Sequence, residues 1–99
     1  MSMIQVTAAK LRSEAENLQS LNQELYHQIN ELELREYSMQ NMWEGVAREA
    51  FHAAFMQDKE QMMVFRNLVI RYIQVLFQAA QKYEQVEAQN AEIAARRSR

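Results

Sequence analysis

The stretch Met42-Trp43-Glu44-Gly45-Val46-Ala47-Arg48-Glu49-Ala50-Phe51 decides the fold, because it holds the one glycine of a proline-free chain of 99 residues. Alanine, glutamine, glutamate, arginine, leucine and methionine, all good helix formers, dominate the rest. Almost nothing else can break a helix or supply the tight turns of a β-protein. Gly45 lies near the midpoint and is the residue that takes a positive φ at little cost. The parse is one all-α domain over 1–99: a helix over about 7–41, a turn over about 42–45, a second helix over about 46–94 and a short basic tail. A short connection makes the two helices antiparallel neighbours in a hairpin. Within the turn, Gly45 permits the reversal, and Trp43 either closes the end of the interhelical seam or stands at the tip. Ala47 lets the helices approach closely, and Phe51 restarts the core.

Outward from the turn, the first helix reads as a heptad seam. Ile4, Leu11, Leu18, Leu25, Leu32 and Met39 recur every seven residues, with Ala8, Ala15, Asn22, Ile29, Glu36 and Trp43 between them. That alternation of three and four marks a stripe which packs like a coiled coil. Thr7 reads as its N-cap. Lys10, Glu14, Asn17, Glu24 and Glu31 belong on the watered face. Asn22 either fixes the register as a buried polar residue or lies at a partly exposed edge.

The second helix carries a longer stripe: Phe51, Phe55, Met62, Phe65, Val69, Tyr72, Leu76, Ala79, Tyr83, Val86 and Ile93, interrupted by Asp58 and Asn90. Its middle is apolar on more than one face. Met63, Ile70, Ile73 and Phe77 lie to one side of the stripe, and Val64, Leu68 and Val75 to the other. One inner face per helix cannot cover them all, and a helix apolar nearly all round is buried nearly all round. A hairpin of this size also buries too little surface to be comfortably stable alone. A second chain is therefore expected, two hairpins forming a dimeric four-helix bundle with Met63, Leu68, Ile70, Ile73 and Phe77 as interface candidates.

Composition removes several function classes. The hydrophobic fraction of 48% is too high for a disordered tail. A net charge of −2 argues against nucleic acid as a partner, and Arg96, Arg97 and Arg99 read as a solvated helix end or else as a contact for an acidic partner or membrane surface. The absence of cysteine excludes disulfides and thiolate metal sites. No apolar run approaches the ~20 residues that span a bilayer, so a membrane role is not expected. Met1 to Lys10 has neither the basic start nor the apolar stretch of a cleavable signal peptide. His27 and His52 fall on different helices, and the pairing of Glu49 with His52 lacks a third ligand, so neither metal nor cofactor is expected. One glycine cannot build a phosphate loop, and Ser2, Ser13, Ser20, Ser38 and Ser98 sit in no nucleophile motif. The chain reads as a non-enzyme.

At its centre the chain carries W-x-G-x-A-x-x-x-F, from Trp43 through Gly45 and Ala47 to Phe51. Near its end it carries Tyr83-Glu84-Gln85-Val86-Glu87, whose spacing of four sets Tyr83 and Glu87 on one helix face. Read locally, Tyr83 is a further seam residue and Glu87 a solvated carboxylate. With the chain length, the central Trp43-Glu44-Gly45 and the opening Met-Ser-Met-Ile-Gln-Val-Thr, the sequence resembles the small Trp-x-Gly proteins of type VII secretion systems, the family of the early secreted antigenic target. The resemblance implies a helical hairpin that pairs with itself or with a related Trp-x-Gly protein. It implies export without a cleaved signal, to the cell surface or beyond. It also implies a bipartite signal of Trp43 and Gly45 with Tyr83 and Glu87, read by the secretion ATPase. Within it, the chain is an effector or an escort for a larger toxin. The competing reading is an intracellular coiled-coil adaptor, which explains the heptads but not the positions of Trp43, Gly45, Tyr83 and Glu87. A membrane-disrupting protein is a third.

Overall fold

The structure, a computed structural model, describes residues 6–97. It contains α1 (Ala8–Met39), a single 3-10 turn (Gln40–Met42) and α2 (Gly45–Arg97), with no strand among the described residues. The chain is the expected all-α helical hairpin. Ile4, the first residue of the heptad series, together with Ser2, Ser98 and Arg99, lies outside the described residues.

The helix ends follow from the residues that close them. The Thr7 hydroxyl accepts from the Lys10 N–H at 3.1 Å and its carbonyl from the Leu11 N–H at 3.0 Å, so Thr7 caps α1. At the other end α1 tightens into the 3-10 turn, and the Trp43 N–H donates to the Gln40 carbonyl at 3.2 Å. Trp43 is then extended (φ −108°, ψ 146°), and Gly45 turns the chain with φ +55°. Arg48 donates through Nε and Nη2 to the Trp43 carbonyl at 3.1 and 2.9 Å. α2 ends with Arg96 and Arg97 in its last turn, where cations oppose the helix dipole. No helix among the described residues is long and apolar enough to cross a membrane.

The chain divides into two compact units. One is Ser20–Ile70; the other is the chain up to Gln19 and from Arg71 onward. In the first, Asn22, Ile29 and Glu36 are the buried residues of α1, seven apart. Arg66 Nε donates to the Asn22 carbonyl and Asn22 Nδ2 to the Arg66 carbonyl, both at 3.2 Å. The Arg66 guanidinium lies 4.5 Å from the Tyr26 ring centre, and Lys59 pairs with Glu33. The second unit buries Ala8 and Ala15 on α1, and Ile73 and Ala80 on α2, again at sevens.

The expected stripes hold in part and are corrected in part: the intervening α1 series is inside, and Phe51, Phe55, Met62, Val69, Leu76 and Ala79 of α2 are half-buried. Leu11, Leu18 and Leu25 are only half-buried and Leu32 is exposed, whereas the intervening series is buried in both units. On α2 the expected Phe65, Tyr72, Val86 and Ile93 are exposed, while Ile73 and Ala80 are buried and Lys59 and Arg66 half-buried. The physical reason is size. Helix axes approach to about 8–10 Å according to the side chains at the contact. A central row made mainly of small or mutually pairing residues, with Ile29 and Ile73 among them, allows the close approach and moves most of the large side chains to the flanks.

Candidate functional site

The turn is a stacked aromatic pair on a braced reversal. The rings of Trp43 and Phe51 lie 5.2 Å apart and within 13° of parallel, an arrangement that adds about 0.5–1.5 kcal/mol beyond area burial. Both residues are half-buried. Trp43 Nε1 is buried without a hydrogen-bond partner, which costs about 1–3 kcal/mol. At Gly45 a Cβ would meet nothing within 4 Å, so glycine is required there by its backbone alone. Ala47 is exposed, which corrects its expected place at a close helix approach: it sits on the outward side of the first turn of α2.

Beside this pair lies a polar cluster. Glu36 is 4% exposed. Its Oε1 accepts from His52 Nδ1 at 2.8 Å, and its two oxygens accept from Gln40 Nε2 at 3.1 and 3.3 Å. Burial pushes the Glu36 carboxyl up, but hydrogen bonds from His52 and Gln40 and the His52 charge together hold it below the ordinary glutamate value. The structure thus directs His52 to Glu36. Periodicity put Glu36 on the seam but did not show its partner, which is sixteen residues away. A charged residue on a buried row was the available signal, since such a group requires one.

The tail motif lies in the other unit. Tyr83 is 43% exposed. Glu87 is exposed too, yet its Oε1 accepts from the Ala8 N–H at 3.0 Å, a residue 79 positions away. It satisfies one of the orphan donors at the start of α1, where a negative charge contributes about 0.3–1 kcal/mol. Glu87 is therefore more than a solvated carboxylate. One turn of helix away, Arg12 Nε donates to Glu84 Oε1 at 3.1 Å, and its guanidinium lies 5.9 Å from the Phe77 ring centre. Neither Arg12 nor Glu84 stood out in the sequence, because each is one of many charges on a helix.

The five interface candidates separate. Ile73 is buried within the hairpin, so it is not available to a partner; Met63 and Phe77 are half-buried; Leu68 and Ile70 are exposed. The larger exposed apolar side chains are others, among them Phe65 at 57% and Tyr72 at 62%.

The family described as proteins of 100 residues with WXG matches residues 3–88, a span that includes Trp43, Gly45, Tyr83 and Glu87. Among solved structures, the chain is similar to the secreted protein EsxB from Bacillus anthracis strain Sterne. Its selenomethionine form aligns with a TM-score of 0.78 and 26% identity, over 88% of this chain and 99% of that one. Its wild-type form in space group P21 aligns with a TM-score of 0.73 and 28% identity, over 84% and 89%. No curated protein matches the chain.

Proposed function

The chain belongs to the family of proteins of 100 residues with WXG, and from that premise we propose that it is a small protein exported by a type VII secretion system, as substrate or escort. The observation that carries this reading is the family match itself, which spans both the turn and the tail motif. The similarity to a secreted protein supports it further. The signal is bipartite: Trp43 and Gly45 form the turn half, Tyr83 and Glu87 the tail half, and the reader is the ATPase of the export machine.

The exported unit is a dimer, with itself or with a related Trp-x-Gly protein. Two rows of apolar side chains that the hairpin leaves uncovered support this. On α1 the leucine row is half-buried or exposed; on α2 Phe65 and Tyr72 are seven apart and exposed, and Val86, two heptads beyond Tyr72, is exposed with the half-buried Ala79 between them. Apolar rows of that regularity are what a four-helix bundle covers. Leu68 and Ile70 remain interface residues in this reading, joined by Phe65 and Tyr72. A larger secreted toxin is the cargo in the escort role. The chemistry is recognition, not catalysis.

The test is export of the wild type and Tyr83→Ala from the native host, with dimer mass and melting checked on both. The wild type is expected outside the cell and the variant retained while folded and dimeric. If both stay inside, the intracellular adaptor takes over.

A further inference from the structure

From Gln81 to Arg97, α2 is helical with every residue exposed. A helix with no packed face is marginal in water. Yet Tyr83 and Glu87 share a face only while this stretch stays helical, since a separation of four makes neighbours on a helix and not in a coil. Something must hold the stretch in that form. Around the motif, polar contacts reach it from the described part of α1: the Ala8 N–H on Glu87, and Arg12 on Glu84, the residue next to Tyr83. The Arg12 guanidinium also lies 5.9 Å from the Phe77 ring centre, nearly two turns before Tyr83. A planar cation can serve a ring and a carboxylate at once, which a lysine ammonium does less well.

We propose that Arg12 is the positioning residue of the tail motif: by gripping Glu84 and covering Phe77 it keeps the segment around Tyr83 and Glu87 helical and docked on α1. A partner then meets the two side chains as an ordered pair and need not supply the ordering cost itself. The Ala8 N–H orients the Glu87 carboxylate from the α1 side through one oxygen, and a carboxylate accepts on its second oxygen at the same time, so recognition does not require α1 to let go. The inference rests on the reading of Tyr83 and Glu87 as part of an export signal. It adds a residue in the first helix, outside both halves of that signal, on which the signal depends.

The experiment compares wild type, Arg12→Glu, Arg12→Lys, Lys10→Glu and Tyr83→Ala. Amide hydrogen exchange, melting and dimer mass are measured on the purified full-length proteins, and export in the native host. Arg12→Glu sets an acid against Glu84; amides of residues 81–97 should exchange several-fold faster while those of residues 22–36 keep their protection. Its export should fall well below wild type although Tyr83 and Glu87 are intact. Arg12→Lys, which keeps the ion pair, should recover part of both. Lys10→Glu, with the same charge change on the same helix end, should behave as wild type. Unchanged exchange in Arg12→Glu, or full export despite fast exchange, would overturn the positioning role while Tyr83→Ala still reports on the signal. Export of Tyr83→Ala at the wild-type level would overturn the signal, and the positioning role with it.

Discussion

The two units of the hairpin are held together by different chemistry. Around the turn, helix meets helix through polar pairs, Glu36 with His52, Glu33 with Lys59 and Asn22 with Arg66, and Gln40 of the 3-10 turn adds a local bond to Glu36. Ile29, 1% exposed, is the buried apolar residue of α1 among them. In the other unit the buried residues are Ala8, Ala15, Ile73 and Ala80, and the polar ties run from exposed carboxylates, Glu84 to Arg12 and Glu87 to the Ala8 N–H. The difference teaches where specificity and stability come from. Buried polar partners are costly to desolvate and need matching groups, so they select one register more than they stabilise it. Small apolar residues set no chemical partner but permit close approach. Each unit therefore relies on few fully buried apolar side chains, and the large apolar residues are left on the flanks.

The most direct way to break the comparison is Ile29→Ala. If apolar burial holds the turn unit as the comparison supposes, emptying the space of a fully buried isoleucine should cost about 2–5 kcal/mol by urea denaturation. A cost well under 1 kcal/mol would mean that the polar pairs stabilise that unit themselves and do more than select its register. The next effect is smaller and sits at the reversal. Gly45→Ala places a side chain at φ +55°, where the left-handed backbone costs about 1–2 kcal/mol. Because a Cβ there meets nothing within 4 Å, no steric term adds to it, and Gly45→Asn should lose less. A loss beyond that range in the same titration would show that the turn is strained by packing as well as by its backbone.

What the sequence disclosed and what it hid divide along the same line. The helices and their reversal were legible because proline is absent and Gly45 stands alone, and both effects are local. Thr7 as a cap was legible for the same reason. The choice of inner row was not. Hydrophobicity ranks leucine and phenylalanine as the residues that most want burial, so it nominated Leu32, Phe65 and Tyr72. Of the α1 seam the interior kept Ala15, Asn22, Ile29 and Glu36 rather than the leucines, and on α2 it took Ile73 and Ala80 from beside the expected stripe, because two helices at close range leave limited room on the central row and favour small or paired groups there. At the candidate site, Trp43, Gly45 and the Tyr83 to Glu87 spacing could be quoted directly. The partners of Glu36 and Glu87 could not, since they are brought in by the fold from sixteen and 79 residues away.

The smallest effect sharpens the comparison by pH. Glu36 is held below the ordinary glutamate value of 4.5 in the folded chain. A carboxyl with a depressed folded value binds fewer protons folded than unfolded. Its contribution is therefore fully present above its unfolded value and is lost as pH falls through the folded one. Acidification from neutrality should leave this contribution intact down to about the ordinary glutamate value and remove it below that. Glu36→Gln has no such proton to take up, so its melting temperature should fall less steeply than the wild type's across the same acid range. Other carboxylates titrate there in both proteins, and the difference between the two profiles isolates Glu36. Superimposable acid limbs would mean that the buried carboxyl gains nothing from His52 and Gln40 beyond the cost of its burial. The polar pairs of the turn unit would then be matched for register alone, which is the strongest form of the contrast with the alanine-lined unit.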